Sequence, residues 1–369
     1  MNMKKSFDDI FVDNTKYCTK IKTSDYHAQG EYLIIDQGQE QIAGYTSLRD
    51  GVFNDIPAII FGDHTRVIKY VDSPFFIGAD GVKVLKSKLC DANYKYLYYA
   101  LKNADIPNTG YNRHFKWLKE LKINYPSAEK QKEIVKILDN IVHVIDFRKK
   151  QLHQLDELVK ARFVEMFGNP VLNQKNWKIE KLCDITSKIG SGATPKGGKE
   201  SYIVDGISLI RSMNVHNGQF EYKELAHISD EQAERLENVT VEKNDVLLNI
   251  TGASVARSCI VPFNVLPARV NQHVCIIRCK DFVSSIFLNH LFIEDNYQDL
   301  LWELAGSGAT REAITKQQIE NLQIIMPPIE LQEQFATFVE QADKSKFAVQ
   351  KALDEAQTLF DSLMQEYFG

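Results

Sequence analysis

The feature that most constrains this chain is a repeat whose register never breaks. Pro126-Ser-Ala-Glu-Lys-Gln131 is answered by Pro327-Pro-Ile-Glu-Leu-Gln332, and Met166-Phe-Gly168 by Tyr367-Phe-Gly369, each 201 residues on. Between those ends nine positions are identical: Pro126, Glu129, Gln131, Lys150, Leu152, Leu158, Glu165, Phe167 and Gly168 with their partners. Sparse identity without a gap is what two copies of a long helix show, because only the ends and a buried stripe are constrained. Spacings of four and three pick out Ile134, Leu138, Ile141, Ile145, Arg148, Leu152, Leu155, Val159, Arg162 and Met166, eight of ten apolar. The second copy gives Phe335, Val339, Ala342, Lys346, Val349, Leu353, Ala356, Phe360, Leu363 and Tyr367, nine of ten apolar. These are coiled-coil seams, each opened by a proline and an early glutamate and closed by a glycine. At about 1.5 Å per residue, such a helix is a rod of roughly 60 Å.

A chain of 369 residues is too long for one core, and a second, more divergent repeat supplies the division. Asp55–Gly62 resembles Asp245–Gly252 at a shift of 190, and Gly110–Arg113 resembles Gly308–Arg311 at a shift of 198. Short β-rich runs (Tyr32–Asp36, Ile56–Phe61, Val82–Leu85; Ile207–Ile210, Val246–Ile250, Val274–Arg278) alternate with Gly, Asn and Asp turns. Helical patches follow at Tyr94–Lys102 and Ser284–Trp302. The fold class is α+β with a pseudo-twofold repeat. Its parts are a first unit at 1–125, a helix at 126–168, a linker at 169–175, a second unit at 176–326 and a second helix at 327–369.

No run approaches about 18 apolar residues and the start carries no signal-peptide pattern, so the expected location is the cytoplasm. Cys18, Cys90, Cys183, Cys259, Cys275 and Cys279 are scattered without the second pair or the histidine of a zinc site; reduced thiols and no metal are expected. Gly190-Ser-Gly-Ala-Thr-Pro-Lys-Gly-Gly-Lys199 imitates a phosphate loop, but Gly192 and Lys199 stand one residue too far apart and Glu200 replaces the magnesium-binding hydroxyl. Met326-Pro-Pro-Ile329 lacks the polar and aromatic flanks of an amino-methyltransferase motif, and Glu221-Tyr-Lys223 lacks the upstream acid of a nuclease. Catalysis by this chain is not expected.

The loops hold donor-rich clusters instead. In the second unit these carry Ser191, Thr194 and Lys196, then Arg211 and Asn214, Ser254 and Arg257, Arg269, Asn271, Gln272 and His273, and Thr310 and Arg311. In the first they carry Gln37 and Gln39, His64, Thr65 and Arg66, and Asn108, Tyr111, Arg113 and His114. Arginine reads guanine edges with two hydrogen bonds and amides read adenine, while hydroxyls, lysines and bared backbone amides hold phosphates. Taken singly, each cluster suits an ordinary turn equally well; their recurrence in both units points to function.

Asn169-Pro170 with Asn173, Trp177 and Leu182, then Gly190-Ser-Gly192, Asp245-Val-Leu-Leu-Asn-Ile-Thr-Gly-Ala-Ser254, Val270-Asn-Gln-His273, Gly308-Ala-Thr-Arg311 and Pro327-Pro with Gln332 resemble the specificity subunit of a type I restriction-modification system. The resemblance covers essentially the whole chain and is stronger in the second half. Residues 1–30 lack the Trp-x-x-x-x-Leu start, and Phe61 and Asp63 stand where the second copy has Thr251 and Ala253. It implies two target-recognition domains, each followed by a long conserved helix, the helices pairing as an antiparallel coiled coil. It implies a non-catalytic subunit whose domains each read half of an asymmetric bipartite DNA sequence, with the helix pair setting the gap. The implied partners are double-stranded DNA, two modification (methyltransferase) subunits and the restriction (translocase and nuclease) subunits. S-adenosylmethionine, ATP and magnesium would be used by those partners, with no cofactor in this chain. Spare apolar positions on the helices, Ile137, Val144, Phe338 and Phe347, are candidates for partner contact, and packing against the recognition domains would explain them equally well. The rival readings are a coiled-coil scaffold with two protein-binding units and an enzyme with an unrecognised site.

The net charge of −5 argues against a nucleic-acid binder at first sight. By segment it is 17 basic against 15 acidic residues over 1–125, 8 against 7 over 126–168, 16 against 19 over 169–326 and 3 against 8 over 327–369. The last helix alone carries −5, as much as the whole chain. A reader this close to neutral is expected to bind DNA weakly by itself and to depend on partners for phosphate neutralisation.

Overall fold

The structure, a computed structural model, describes residues 3–194, 197–306 and 312–369. The chain divides into two compact units, one of residues 1–149 with 350–369 and one of residues 150–349. Each therefore owns one half of both long helices.

In the first unit a four-stranded antiparallel sheet runs in the order Phe11–Asp13, Val82–Ser87, Ala58–Gly62, Ile68–Val71. Ala58–Gly62 is buried on both faces, and its side chains alternate between two cores as a strand's period of two requires. Ile59 and Phe61 join Phe7, Phe11, Tyr96 and Leu97, whereas Ala58 and Ile60 join Val71, Phe75 and Val84. A three-stranded sheet, Gly44–Thr46, Tyr32–Ile35 and Phe75–Ile77, closes the second core. A ribbon of Met3–Ser6 with Lys122–Tyr125 leads into the first long helix.

The second unit repeats this plan. Its first sheet runs Thr186–Ser191, Val274–Cys279, Val246–Asn249, Ser258–Ile260, and Val246 and Leu248 face one core while Leu247 faces another. Ala226–Ile228, Ile207–Ile210 and Ala268–Val270 match the three-stranded sheet, widened by Thr240–Val241. Lys178–Lys181 pairs with Gln323–Met326 as the equivalent ribbon. The helical patch expected at Ser284–Trp302 is two helices, Ser285–Phe292 and Asp295–Gly306. The break falls where the Glu294 carboxylate takes the backbone N–H of Tyr297 at 3.0 Å and starts a new helix.

The long helices are Ala128–Phe167 and Ile329–Phe368. In the first unit Ile134, Leu138 and Ile145 of one helix share a core with Phe360 and Met364 of the other; in the second unit Val159, Phe163 and Phe167 share one with Phe335, Val339 and Ala342. Start meets end in both, so the pair is antiparallel. Every position of both sequence stripes is buried or half-buried. The seam's lysine is neutralised across the pair, Lys346 Nζ lying 2.7 Å from Asp156 Oδ1. At the helix ends, Phe167 packs edge-on against Phe287 at 4.8 Å, and Phe368 packs against Tyr96 at 5.2 Å. Phe167, fully buried, contributes roughly 1.5–3 kcal/mol by leaving water. Gly168 ends the first helix at φ +78°, where its N–H reaches Val164 O at 2.8 Å, a left-handed cap that a side chain would strain. Among the described residues no helix is long and apolar enough to cross a membrane.

Candidate nucleic-acid interface

In the second unit the polar loops converge at one end of the first sheet's strands, after Ser191 and Asn249 and before Val274. Gly192 leaves the strand Thr186–Ser191 so close to its neighbour that a Cβ would meet Val270 O at 1.7 Å. Its N–H donates to Asn271 O at 3.1 Å. Close packing, not phosphate binding, therefore accounts for the glycine of the Gly190-Ser-Gly192 run. Ser191 and Thr194 are exposed there, and Thr194 Oγ1 donates to Gln272 Oε1 at 2.6 Å. Gln272 Nε2 lies 2.8 Å from His273 Nε2, and His273 Nδ1 lies 2.5 Å from Thr251 Oγ1. With the amide donating, the ring proton sits on Nδ1 and is given to Thr251. Thr194, Gln272, His273 and Thr251 thus form one pre-organised polar chain. Thr251 closes it although its cluster was read from the sequence through Ser254 and Arg257. Those two are half-buried beside it, and no hydrogen bond or ion pair among the described residues holds the Arg257 guanidinium.

Other predicted residues of this unit are committed inward. Asn214 is fully buried; its amide donates to Glu221 O at 2.9 Å and Lys223 O at 3.3 Å and accepts Arg211 N at 3.0 Å, which braces a turn. Arg211 folds back to Glu224 O and over the Tyr202 ring at 5.4 Å. Arg269 donates to Ala233 O and Ala268 O, both at 3.0 Å, and burial holds its guanidinium below the usual arginine pKa. Asn271 is buried, its amide oxygen capping His273 N at 3.0 Å. These four hold the loops that carry the outward residues. Lys196, Thr310 and Arg311 lie outside the described residues.

In the first unit Gln37 joins two loops, its amide donating to Asp80 O at 3.0 Å and accepting His64 N at 3.3 Å. Thr65 Oγ1 donates to Gln37 O at 2.6 Å, and Arg66 Nη1 donates to Ile106 O at 3.0 Å. Gln39, Thr65 and Arg66 border a polar cleft of about 570 Å³ that also takes in Gln41, Lys69 and Lys102. The last three belong to no motif and lie on separate stretches of the chain, so only the fold brings them together. His114 is wholly buried: its Nδ1 and its backbone N reach Asp63 O at 2.9 and 2.8 Å, while Asp63 Oδ1 accepts Phe115 N at 2.7 Å. It anchors the loop that holds Asn108, Tyr111 and Arg113 outside. His64 stacks on Tyr111 at 4.7 Å and 9°.

On the long helices, Ile137 and Phe338 are half-buried, and Phe338 packs against the second unit's core beneath the Arg162 guanidinium at 5.8 Å. Packing accounts for Phe338. Val144 at 42% and Phe347 at 75% exposure stay open to solvent. Among the described residues no cluster of His, Cys, Asp and Glu has a metal site's geometry.

Two units of one topology with unlike polar loops are the arrangement that comparison with known proteins explains. Residues 2–157 and 174–356 match the type I restriction modification DNA specificity domain. The chain belongs to that family. Among curated relatives, the type I restriction enzyme EcoR124I/EcoR124II specificity subunit of Escherichia coli is 22% identical over 341 residues, covering 89% of this chain and 83% of the relative. The crystal structure of the S subunit from M. genitalium superposes with a TM-score of 0.62 at 14% identity, over 100% of this chain and 96% of that one. A structure from work on assembly and conformational transition of the type I restriction-modification system gives 0.56 at 17% identity, over 98% and 95%. The specificity family's fold thus extends over the whole chain.

Proposed function

We propose that this chain is the DNA-reading subunit of a type I restriction-modification complex. Its first unit reads one half of an asymmetric bipartite target, its second unit reads the other, and the two long helices serve as the spacer. The observation that supports this reading is one sheet plan built twice with different polar side chains on its loops. One set of loops carries the Thr194–Gln272–His273–Thr251 chain, the other the Tyr111–His64 stack and the cleft at Arg66. A protein that reads two different half-sites needs the same scaffold twice and different side chains on it.

The chain contributes recognition and no chemistry. Two modification subunits dock on it and use S-adenosylmethionine; restriction subunits use ATP and magnesium. Val144 and Phe347 are exposed apolar helix positions open to such partners, as are Phe147, Leu158, Val164 and Leu359. Duplex binding measured across a salt series, with and without the modification subunit, separates this reading from a protein scaffold. The complex should bind with affinity falling steeply in salt, and the chain alone only weakly. Tight, salt-independent behaviour, or no DNA binding by the complex, contradicts it.

A further inference from the structure

Tyr111 is 88% exposed, yet it is not on a loose tip. Asn108 Oδ1 accepts Gly110 N at 3.2 Å, Asn112 Nδ2 donates to Thr109 O, and the buried His114 ties the loop's base to Asp63. The ring is therefore held out in water by a braced loop, at a cost that packing alone does not explain. One face is covered by His64, which is itself fixed through Gln37 and whose Nδ1 is buried without a partner. The other face is open.

Basic side chains border the loop, with the Asp80 carboxylate close enough to Arg113 to feel its charge. Arg113 is exposed, and among the described residues no hydrogen bond or ion pair holds it. The helix that follows the loop, Phe115–Lys119, adds Lys116 and Lys119, whose ammonium groups lie 4.6 Å from the Trp117 ring and 5.2 Å from the Phe115 ring. A ligand for this loop must offer a flat π-face and negative charge together. A nucleotide does so; a protein side chain offers one or the other.

Resting on the DNA-reading function above, we propose that the Tyr111–His64 pair is a stacking platform for one unstacked base at a kinked step in the first unit's half-site, with Arg113 on the adjoining phosphate. A single open face takes one base, so the step must roll open to bring that base onto it. The corresponding stretch of the second unit, residues 307–313, reads Ser-Gly-Ala-Thr-Arg-Glu-Ala without an aromatic. The opened step belongs to one half-site only.

The test uses the complex with its modification subunit, on duplexes of the mapped target in which a fluorescent purine analogue is walked along the sequence. Wild type should brighten the analogue at one position of the first half-site besides any base opened for methylation. Tyr111→Ala should lose that signal and bind about tenfold more weakly, while Tyr111→Phe keeps both. Arg113→Ala should lower the salt slope by about one phosphate, which Tyr111→Ala leaves unchanged. If Tyr111→Ala keeps wild-type fluorescence or wild-type affinity, the platform is wrong, although the DNA-reading function stands. If the wild-type complex recognises no sequence, that function itself fails.

Discussion

Gln131 and Gln332 are the same brace built twice. Each is fully buried and donates to the carbonyl of the proline five residues earlier, Pro126 at 3.0 Å and Pro327 at 2.9 Å. Each accepts the backbone N–H of the residue capping a short helix, Asn93 at 3.2 Å and Ser284 at 2.9 Å. The start of each long helix is thereby fixed to its unit's sheet-covering helix. Replacing either by leucine strands a buried N–H and a buried carbonyl, and should cost about 2–4 kcal/mol. Hydrogen exchange should rise in residues 94–102 for Gln131→Leu and in residues 285–292 for Gln332→Leu, each without the other.

Asp245 is fully buried and takes two hydrogen bonds from Arg278, at 2.8 and 2.9 Å. Arg278→Ala leaves that carboxylate unpaired inside the second unit and should lose about 3–5 kcal/mol in denaturant unfolding. The double variant Arg278→Met, Asp245→Leu should recover much of the loss.

His290 sits edge-on to Phe335 at 5.1 Å, where burial, and secondarily the Lys346 charge, pushes its pKa down to about 4. The folded value lies below the ordinary 6.5, so the unfolded chain takes up the proton first as pH falls. Stability should therefore be full above about pH 6.5 and decline toward pH 4, by about 2–3 kcal/mol in total from this group. Thermal melts of His290→Leu should show a correspondingly shallower acid slope.

Outward and inward residues of the same motifs should separate in their effects. Arg257→Ala or Gln272→Ala should weaken recognition of one half-site and leave the other intact, at a cost of about 1–3 kcal/mol in base discrimination. Asn214→Ala and His114→Ala should lower unfolding stability of their own units by about 1–3 kcal/mol. Binding assays on duplexes altered in one half at a time, beside unfolding curves, distinguish the two classes. Equal loss at both halves for Arg257→Ala contradicts the division of labour.

The long helices were legible because a seam repeats every three or four residues and tolerates no insertion; all twenty stripe positions are buried or half-buried as expected. The strands were legible as runs, but not their exact correspondence. Gly62 pairs with Val82 and Asn249 with Val274, so these are equivalent residues 187 apart, where sequence similarity had set Gly62 against Gly252. The following turn explains the slip. Gly62 N reaches Val67 O at 2.8 Å, but Asn249 N reaches Arg257 O at 2.8 Å across a turn three residues longer. Burial in loops was not legible either. Asn214 and His114 have the composition of surface readers, and only tertiary contacts with Glu221, Lys223 and Asp63 turn them inward.

The central claim is that this chain sets the sequence its complex methylates. Long-read mapping of methylated adenines in a genome exposed to the chain with its modification subunit tests it most directly. The account predicts one asymmetric motif in two parts separated by a fixed unread gap, with only one part altered by Gln272→Ala. No defined motif, or an uninterrupted one, would contradict it.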